Sequence, residues 1–327
     1  MAPSRQSSGW DDRGHRDDDG HEHLVTVVVA GASGLIGSSL AASLRADGHA
    51  VITLVRRESR ASTEVMWQPQ LGGSGATAEL RATLEGADAV VNLAGAGVAE
   101  KRWDDAYRQQ ILDSRVAATT CLATAMSEAT HRPRVFVSGS ASGYYGDTGP
   151  VAVDESGAAG HTFLARVCVA WEGAAHIARD AGIRVATIRT GTVADPDGGA
   201  FGRLLPVVRL GVGGRLGSGQ QWWSLISLRD EVAAIRHIID HDSIVGPVNL
   251  AAPEQVTNAD LTSALGRALH RPTLAFVPRI ALRAVLGDFA DELLIDQRMT
   301  PKVLTDTGFT FHDPTVAAVI DDLLSGS

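Results

Sequence analysis

The stretch Gly139–Asp147, GSASGYYGD, puts two hydroxyls, Ser140 and Ser142, and two adjacent phenols, Tyr144 and Tyr145, into one glycine-rich turn. Such a group suits the proton-handling end of an oxidoreductase site. It equally suits a loop that packs over a ligand. A free phenol titrates at about 10 and is a poor base at neutral pH without a neighbouring cation. The deciding question is whether a lysine follows at a useful spacing, and Lys101 and Lys302 are the only lysines in the chain.

A second stretch points to a cofactor. Gly31-Ala32-Ser33-Gly34-Leu35-Ile36-Gly37 has the spacing GxxGxxG. Glycines allow a tight turn and let backbone N–H groups approach a pyrophosphate, while the following helix N-terminus faces the negative charge. Gly31, Ser33, Gly34, Leu35, Ile36 and Gly37 are therefore the expected phosphate cradle, with the Ser33 hydroxyl as an added donor. The alternative is a close-packed strand–helix turn that binds nothing. Farther on, the second strand ends in Arg56-Arg57, where an NAD site usually has an acid for the adenine ribose. Two guanidiniums favour a 2′-phosphate, so NADP is expected ahead of NAD. Leu93, Ala94 and Gly95 end another apolar run in small residues, which a ribose or planar group can approach closely.

These residues need a scaffold, and the hydrophobic pattern supplies one. Leu24–Gly31 is a continuous β-branched run, the mark of a strand buried on both faces of a parallel sheet. A helix over Leu35–Asp47 and a strand over Val51–Val55 complete a βαβ unit. The alternation continues with a short helix at Leu80–Glu85 and a strand at Ala87–Gly95. A long helix at Asp105–Ala129 and a strand at Arg134–Ser140 follow. A helix at Phe163–Ala181 and a strand at Val185–Gly191 end the series. Met66–Ala78 reads as a loop. The expected fold is α/β, a Rossmann-like doubly wound parallel sheet over residues 24–195. Residues 196–327 read as a smaller, mainly helical C-terminal subdomain on the substrate side, and the sheet takes a later strand near 244–250. Helices are expected at Leu204–Leu210, Ser227–His241, Val256–His270, Arg279–Leu286 and Pro314–Leu324. Residues 1–23 have almost no apolar side chains and read as a disordered tail without a secretory signal.

Bulk properties narrow the function classes. The 327 residues carry 29 Lys and Arg against 38 Asp and Glu, a net charge of −9, which gives no electrostatic reason to expect nucleic acid. Cys121 and Cys168, the only cysteines, suit buried thiols in a reducing compartment, so a cytoplasmic location is expected. No apolar run suits a bilayer, no His/Cys spacing suggests a metal, and no hydrolase nucleophile motif is visible.

GASGLIG, NLAGAGVAEKRW, SRVAAT, SGSASGYYGD and RTGTVADPDGG, with LLPVVRLGVGGRLGSGQQWWSLISLRDEV, GPVNLAAP and LGRALHRP later on, resemble an atypical branch of the extended short-chain dehydrogenases. Its members are labelled NAD-dependent epimerase/dehydratase-like proteins and carry a further C-terminal region of unassigned role. The resemblance runs from Leu24 to near Leu324. It implies a Ser–Tyr–Lys arrangement, with Ser140 at the Ser position. Matching Glu172 to the acid that follows the usual YxxxK helix motif puts Leu164 at the Tyr position and Cys168 at the Lys position. The standard pair is absent. Ser140, Tyr144 and Tyr145 then remain as the catalytic candidates, with Lys101 or Arg102 as sources of positive charge. The resemblance also puts Arg115 where it ties helix to loop or approaches the cofactor.

Each candidate has a structural alternative. Ser140 can simply hold a loop, either tyrosine can pack over the nicotinamide, and Lys101 can be a solvated loop charge. Cys168, Asp147 and Asp154–Glu155 read as buried packing and as surface loop acids. Trp222 and Trp223 wall the substrate cleft, cover a partner surface or fill a core. Three functions follow. The first is an NADP-dependent oxidoreductase or epimerase acting on a small polar molecule, in the parent superfamily often a nucleotide sugar. The second is a non-catalytic dinucleotide-binding sensor or structural protein. The third is a transferase or other enzyme that has lost nicotinamide chemistry. The chain is expected as a monomer or as a homodimer paired through its two long helices.

Overall fold

The valine run after Leu24 folds as the strand it spells, and its side chains divide with the two-residue period of a strand. Val27 and Val29 enter one core cluster and Val28 and Ala30 another, all fully buried. The computed structural model describes residues 24–70 and 75–325, so the tail expected over 1–23 lies outside the described residues.

In chain order the strands are β1 Thr26–Ala30, β2 Ala50–Val55, β3 Glu64–Met66, β4 Ala89–Asn92, β5 Val135–Ala141, β6 Arg184–Thr190 and β7 Thr192–Ala194. They continue with β8 Gly214–Leu216, β9 Trp222–Trp223, β10 Leu225–Ser227, β11 Gly246–Leu250, β12 Val256–Thr257 and β13 Ala275–Val277. The helices are α1 Leu35–Ala46, α2 Ala78–Leu84, α3 Asp105–Ser127, α4 Phe163–Asp180, α5 Phe201–Arg209, α6 Leu228–Asp240, α7 Asn258–Ala268, α8 Arg279–Leu286, α9 Phe289–Glu292, α10 Lys302–Asp306 and α11 Val316–Ser325. A short 3₁₀ turn covers Ser142–Tyr145.

The main sheet is parallel throughout, in the order β11-β6-β5-β4-β1-β2-β3. Direction of winding reverses between β1 and β4, the switch point at which open α/β sheets bind ligands beyond their carboxyl ends. One face is covered by α1 and α6, through Leu40, Leu44, Ile235 and Ile238. The other is covered by α2, α3 and α4, through Leu80, Leu122 and Ala175. After β6 the chain leaves the sheet through β7, α5, the short strands β8 to β10 and α6, and α5, α7 and α11 share with β9 a second core of Phe201, Leu205, Trp223, Leu261 and Val319. The chain returns to the sheet as β11, beside β6, with Val248 opposite Ile188.

One local expectation changes, and among the alternatives for the two tryptophans the core one holds for Trp223. The stretch Met66–Ala78 is not all loop. Met66 ends β3, which pairs with β2 because Val65 fills the core, and Ala78 begins α2 under a Thr77 cap. Trp222 and Trp223 do not both face a cleft. The Trp223 ring is buried with its N–H donated to Leu293 O at 3.3 Å, whereas the Trp222 ring lies 4.0 Å from the Arg298 guanidinium. No helix among the described residues is long and apolar enough to cross a membrane.

Candidate functional site

The glycine loop after β1 packs backbone to backbone. Gly31 has φ +84°, and a Cβ there would lie 2.6 Å from Leu93 C. A Cβ at Gly37 would lie 2.3 Å from Gly31 O. Both glycines are therefore required by close approach, since any side chain would push the loop off the β4 turn. Leu93, Ala94 and Gly95 form that turn. It is shaped by buried Asn92, which accepts from Ala94 N at 3.2 Å and donates to the Thr119 hydroxyl at 2.9 Å. Arg115 secures the loop beyond it by donating to Ala96 O at 2.8 Å, and its guanidinium lies 5.0 Å from the Trp171 ring. Burial holds the Arg115 pKa below its ordinary value.

Whether this cradle fits an anion is decided by how α1 begins. Side chains of Thr77, Asp104, Thr162, Ser227 and Thr257 cap α2, α3, α4, α6 and α7. Helix α1, with Gly34 at its N-cap, has no side-chain cap and no acid in its first turn, a trait it shares with α5, α8 and α10 but which it alone presents beneath the glycine loop. Its first N–H groups and the positive end of its dipole are thus left to whatever lies over the loop, and Ser33 and Gly34 are exposed there. The residues present fit a dinucleotide pyrophosphate.

The arginine pair at the end of β2 is exposed, but Arg57 is engaged. Its guanidinium grips Glu64 of β3 through two bonds of 2.8 and 2.6 Å, and that grip lowers the Glu64 carboxyl to about 2. The bidentate geometry expected for a ribose phosphate is thus already used within the protein.

The turn that opened the inquiry is more deeply built in than its sequence suggests. Ser140 donates to Glu172 at 2.7 Å, and Glu172 is clasped by Arg189 of β6 through bonds of 2.9 and 3.0 Å. Arg189 also donates to the Tyr145 oxygen at 2.9 Å, and Tyr145 donates to Asn249 of β11 at 2.7 Å. Asn249 in turn donates its amide to Thr300 O at 2.9 Å. Burial alone would lower the Arg189 pKa, but its bonds to Glu172 and Tyr145 hold it above the ordinary value. Burial pushes the Tyr145 phenol up to about 12. Tyr145 therefore faces inward, not into the cleft. Tyr144 is half-buried with its ring 3.4 Å from the Arg189 guanidinium carbon, and no described residue hydrogen-bonds its hydroxyl. The cation beside the phenols is Arg189.

Other candidates fall where packing puts them. Cys168 is buried against Ser140 and Ala141, and burial, helped by Glu172, pushes its thiol up to about 12. Leu164 lies under the 3₁₀ turn, where a Cβ on Gly143 would meet it at 3.0 Å. Glu155 is not a surface acid. It is buried and accepts from Asn249 N at 3.0 Å and from Val303 N at 3.1 Å. Lys101 stays exposed with its ammonium 5.5 Å from the Tyr107 ring.

Sequence reasoning missed Arg189 and Asn249 and put Glu155 at the surface. The signal for the first two was present: an arginine inside VATIRTG and an asparagine inside GPVNLAAP interrupt strands that are otherwise apolar. Charged and amide groups at such positions are buried and must be partnered. It also missed the segment after α9. There Gln297 accepts from the Ser142 hydroxyl at 2.7 Å, and a cavity of about 50 Å³ is lined by Thr192, Ser224, Glu292 and Gln297 among others. A groove of about 800 Å³ along α1 and α6 is lined by none of the glycine-loop or β5-turn residues. No group of three or more metal-binding side chains occurs among the described residues.

With this geometry in place, the likenesses to known proteins can be weighed. Residues 27–251 match the NAD dependent epimerase/dehydratase family, and residues 277–323 match a domain of unknown function, DUF1731. An epimerase family protein of Mycobacterium bovis is 45% identical over 297 residues, covering 90% of this chain and 96% of its own. The crystal structure of human epimerase family protein SDR39U1 with NADPH has a TM-score of 0.84 at 30% identity, covering 92% of this chain and 100% of that one. A nucleoside-diphosphate sugar epimerase from Corynebacterium glutamicum has a TM-score of 0.75 at 33% identity, covering 93% of this chain and 59% of that one. Six further structures of the fold at 17–23% identity, among them UDP-glucuronic acid 4-epimerase from Bacillus cereus, hold NAD. Those NAD complexes, with Arg57 held by Glu64, overturn the expectation that ranked NADP ahead of NAD. The chain belongs to the NAD dependent epimerase/dehydratase family, in the branch that carries a DUF1731 region near its C-terminus.

Proposed function

We propose that the protein is a nicotinamide-dinucleotide-dependent oxidoreductase or epimerase acting on a small polar substrate of the sugar-nucleotide kind. The observation that carries this reading is the uncapped, acid-free start of α1 under the Gly31–Gly37 loop, at the switch point of the sheet. Gly31, Ser33, Gly34, Leu35, Ile36 and Gly37 would cradle the pyrophosphate, and Leu93, Ala94 and Gly95 would border the ribose. Arg115 holds that border in shape. Arg56 remains available to the adenine end. When bound, the dinucleotide supplies hydride chemistry, and the chain's own part is to hold and orient.

Among the β5-turn residues the roles divide. Ser140, tied to Glu172, and Tyr145, tied to Arg189 and Asn249, position the turn. Tyr144, whose hydroxyl takes no part in those bonds, would be the phenol left to the substrate. The named substrates of the sugar-nucleotide epimerases that share the fold, and the human relative's dinucleotide, support this class. Residues 24–195 would serve the cofactor and the C-terminal part, 196–327, the substrate. A cytoplasmic monomer or homodimer fits the reading. The test is a fluorescence titration of the full chain with NADH and with NADPH. Saturable binding of at least one, lost in Gly37→Val, is expected. Binding of neither would sink the reading.

The alternative, a dinucleotide-binding protein without turnover, is favoured by one observation. The resemblance puts Leu164 and Cys168 where a Tyr and a Lys are usual, and Cys168 is buried with its thiol pushed up.

A further inference from the structure

Two segments of the C-terminal half contain no acid, in a chain whose net charge is −9. Between Asp197 and Asp230 there are four arginines and no Asp or Glu, and between Asp260 and Asp288 there are four more. The fold sets the two segments side by side. Strand β8 pairs with β13, with Arg215 opposite Phe276, and a Cβ on Gly211 would lie 3.6 Å from Pro272 Cδ. Arg209, Arg215, Arg267 and Arg271 are exposed, and none forms an ion pair among the described residues. Arg279 and Arg283 of α8 share one carboxylate, Asp291, so that corner keeps a positive excess. The acid that follows α8, Asp288, is held by Arg108 at 3.0 Å.

Apolar side chains stand out among these cations. Leu274 is 94% exposed, Ile280 83% and Leu210 78%. The two-residue period of a strand puts Leu274 and Phe276 on one face of the ribbon, and the Arg215 guanidinium lies 5.8 Å from the Phe276 ring. On α8 only Leu282 is buried, while Ile280, Ala281, Ala284 and Val285 form one exposed apolar arc at helical spacing. Side chains with so much free surface protrude rather than line a groove.

We propose that the β8–β13 ribbon and α8 form a surface that docks on anionic lipid bilayers. The aliphatic side chains enter the acyl boundary, and the guanidiniums reach the headgroup phosphates above it. Charge separates this occupant from others. A second copy related by a two-fold axis would bring two arginine-rich, acid-poor faces together. A nucleic acid would meet the guanidiniums but leave Leu210, Leu274 and Ile280 in water. An anionic bilayer uses both kinds of side chain and repels the acidic remainder of the chain, which fixes the side that faces the lipid. The protein lies on such a membrane and does not cross it.

Co-sedimentation of the full chain with sucrose-loaded vesicles tests the assignment. The wild type should pellet with vesicles of equal parts phosphatidylcholine and phosphatidylglycerol, stay in solution with phosphatidylcholine alone, and be released as salt rises. Leu274→Ser combined with Ile280→Ser should weaken binding on the order of 10-fold or more, because the two side chains no longer leave water. Arg209→Gln combined with Arg271→Gln should weaken it on the order of 10-fold and flatten its salt dependence. Val245→Ser removes an exposed apolar side chain between α6 and β11 and should bind as the wild type does. All these positions are exposed, so the melting temperatures should match that of the wild type. No binding of the wild type to the anionic vesicles, equal binding to both kinds, or undiminished binding by the serine pair overturns the assignment. Sedimentation velocity without lipid is the second readout, with equal coefficients expected for the wild type and the serine pair. A wild-type dimer that the serine pair dissociates would make this face a contact between copies and overturn the lipid assignment. No dinucleotide takes part in these measurements, so they stand apart from the cofactor reading.

Discussion

At the glycine loop, the first N–H groups of α1 are capped by no side chain, and exposed Ser33 and Gly34 lie over them. At the β5 turn the reverse holds: Ser140, Glu172, Arg189, Tyr145 and Asn249 satisfy one another inside the protein. One end of the cleft withholds internal partners and the other supplies them all. The difference separates binding from scaffolding. A group meant for a ligand must be left with bonding capacity, whereas a buried polar group left so would destabilise the fold. By this criterion the hydroxyl-rich turn is mainly scaffold, with the Tyr144 hydroxyl outside its bonds, and the open groups are the first N–H groups of α1.

The comparison breaks most severely at Arg189. Arg189→Met should destabilise the protein by about 3–5 kcal/mol, because it leaves the Glu172 carboxylate buried without its cation. Urea unfolding followed by circular dichroism measures this, and a loss below about 1 kcal/mol would mean the network is not structural. The neighbouring strand residue sharpens the point. Thr190 donates to Glu231 at 2.8 Å, and no cation contacts that fully buried carboxyl. Burial raises the Glu231 pKa from 4.5 to about 8. The folded state thus holds a proton that the unfolded chain releases. Glu231 contributes stability that is complete below about pH 4.5 and is lost as pH rises through about 8. A decline of a few kcal/mol over that window is expected in the wild type, and Glu231→Gln should flatten it.

At the open end the effects are smaller in stability and larger in binding. Gly37→Ala forces a Cβ against Gly31 O, for about 1–3 kcal/mol of destabilisation, and should abolish dinucleotide binding by calorimetry. The gentlest test compares the two phenols. Tyr145→Phe removes the donor to Asn249 and should cost about 1–2 kcal/mol. Tyr144→Phe should leave stability within about 0.5 kcal/mol and act only on turnover. Equal losses from both would erase the distinction between an inward and an outward tyrosine.

Much of the scaffold was legible because it is local. The β-branched runs of β1 and β4 mark buried strands, and GxxGxxG marks the loop between β1 and α1 because those glycines are demanded by contacts within one βαβ unit and its neighbour. The network at the β5 turn was illegible for the opposite reason. Arg189 finds Glu172 across a strand–helix contact, Tyr145 finds Asn249 across 104 positions of sequence, and Glu155 finds Val303 across 148. No local window of sequence contains both partners of the last two pairs. The cofactor ranking fails for a related reason: nothing in LVRRES shows that Arg57 is held by Glu64 on the short strand β3.

The placement of β11 has a consequence for how the chain comes into being. This strand closes one border of the main sheet, beside β6, yet it is made only after α5, α6 and the strands β7 to β10 have been synthesised. Until Gly246–Leu250 emerges, nascent β6 presents a row of unpaired backbone groups to its surroundings, an invitation to pair with another chain. A chain cut after Ala194 would keep that open border permanently and should self-associate. The residues after Ala194 therefore also cover a sheet border that residues 24–194 alone would leave open.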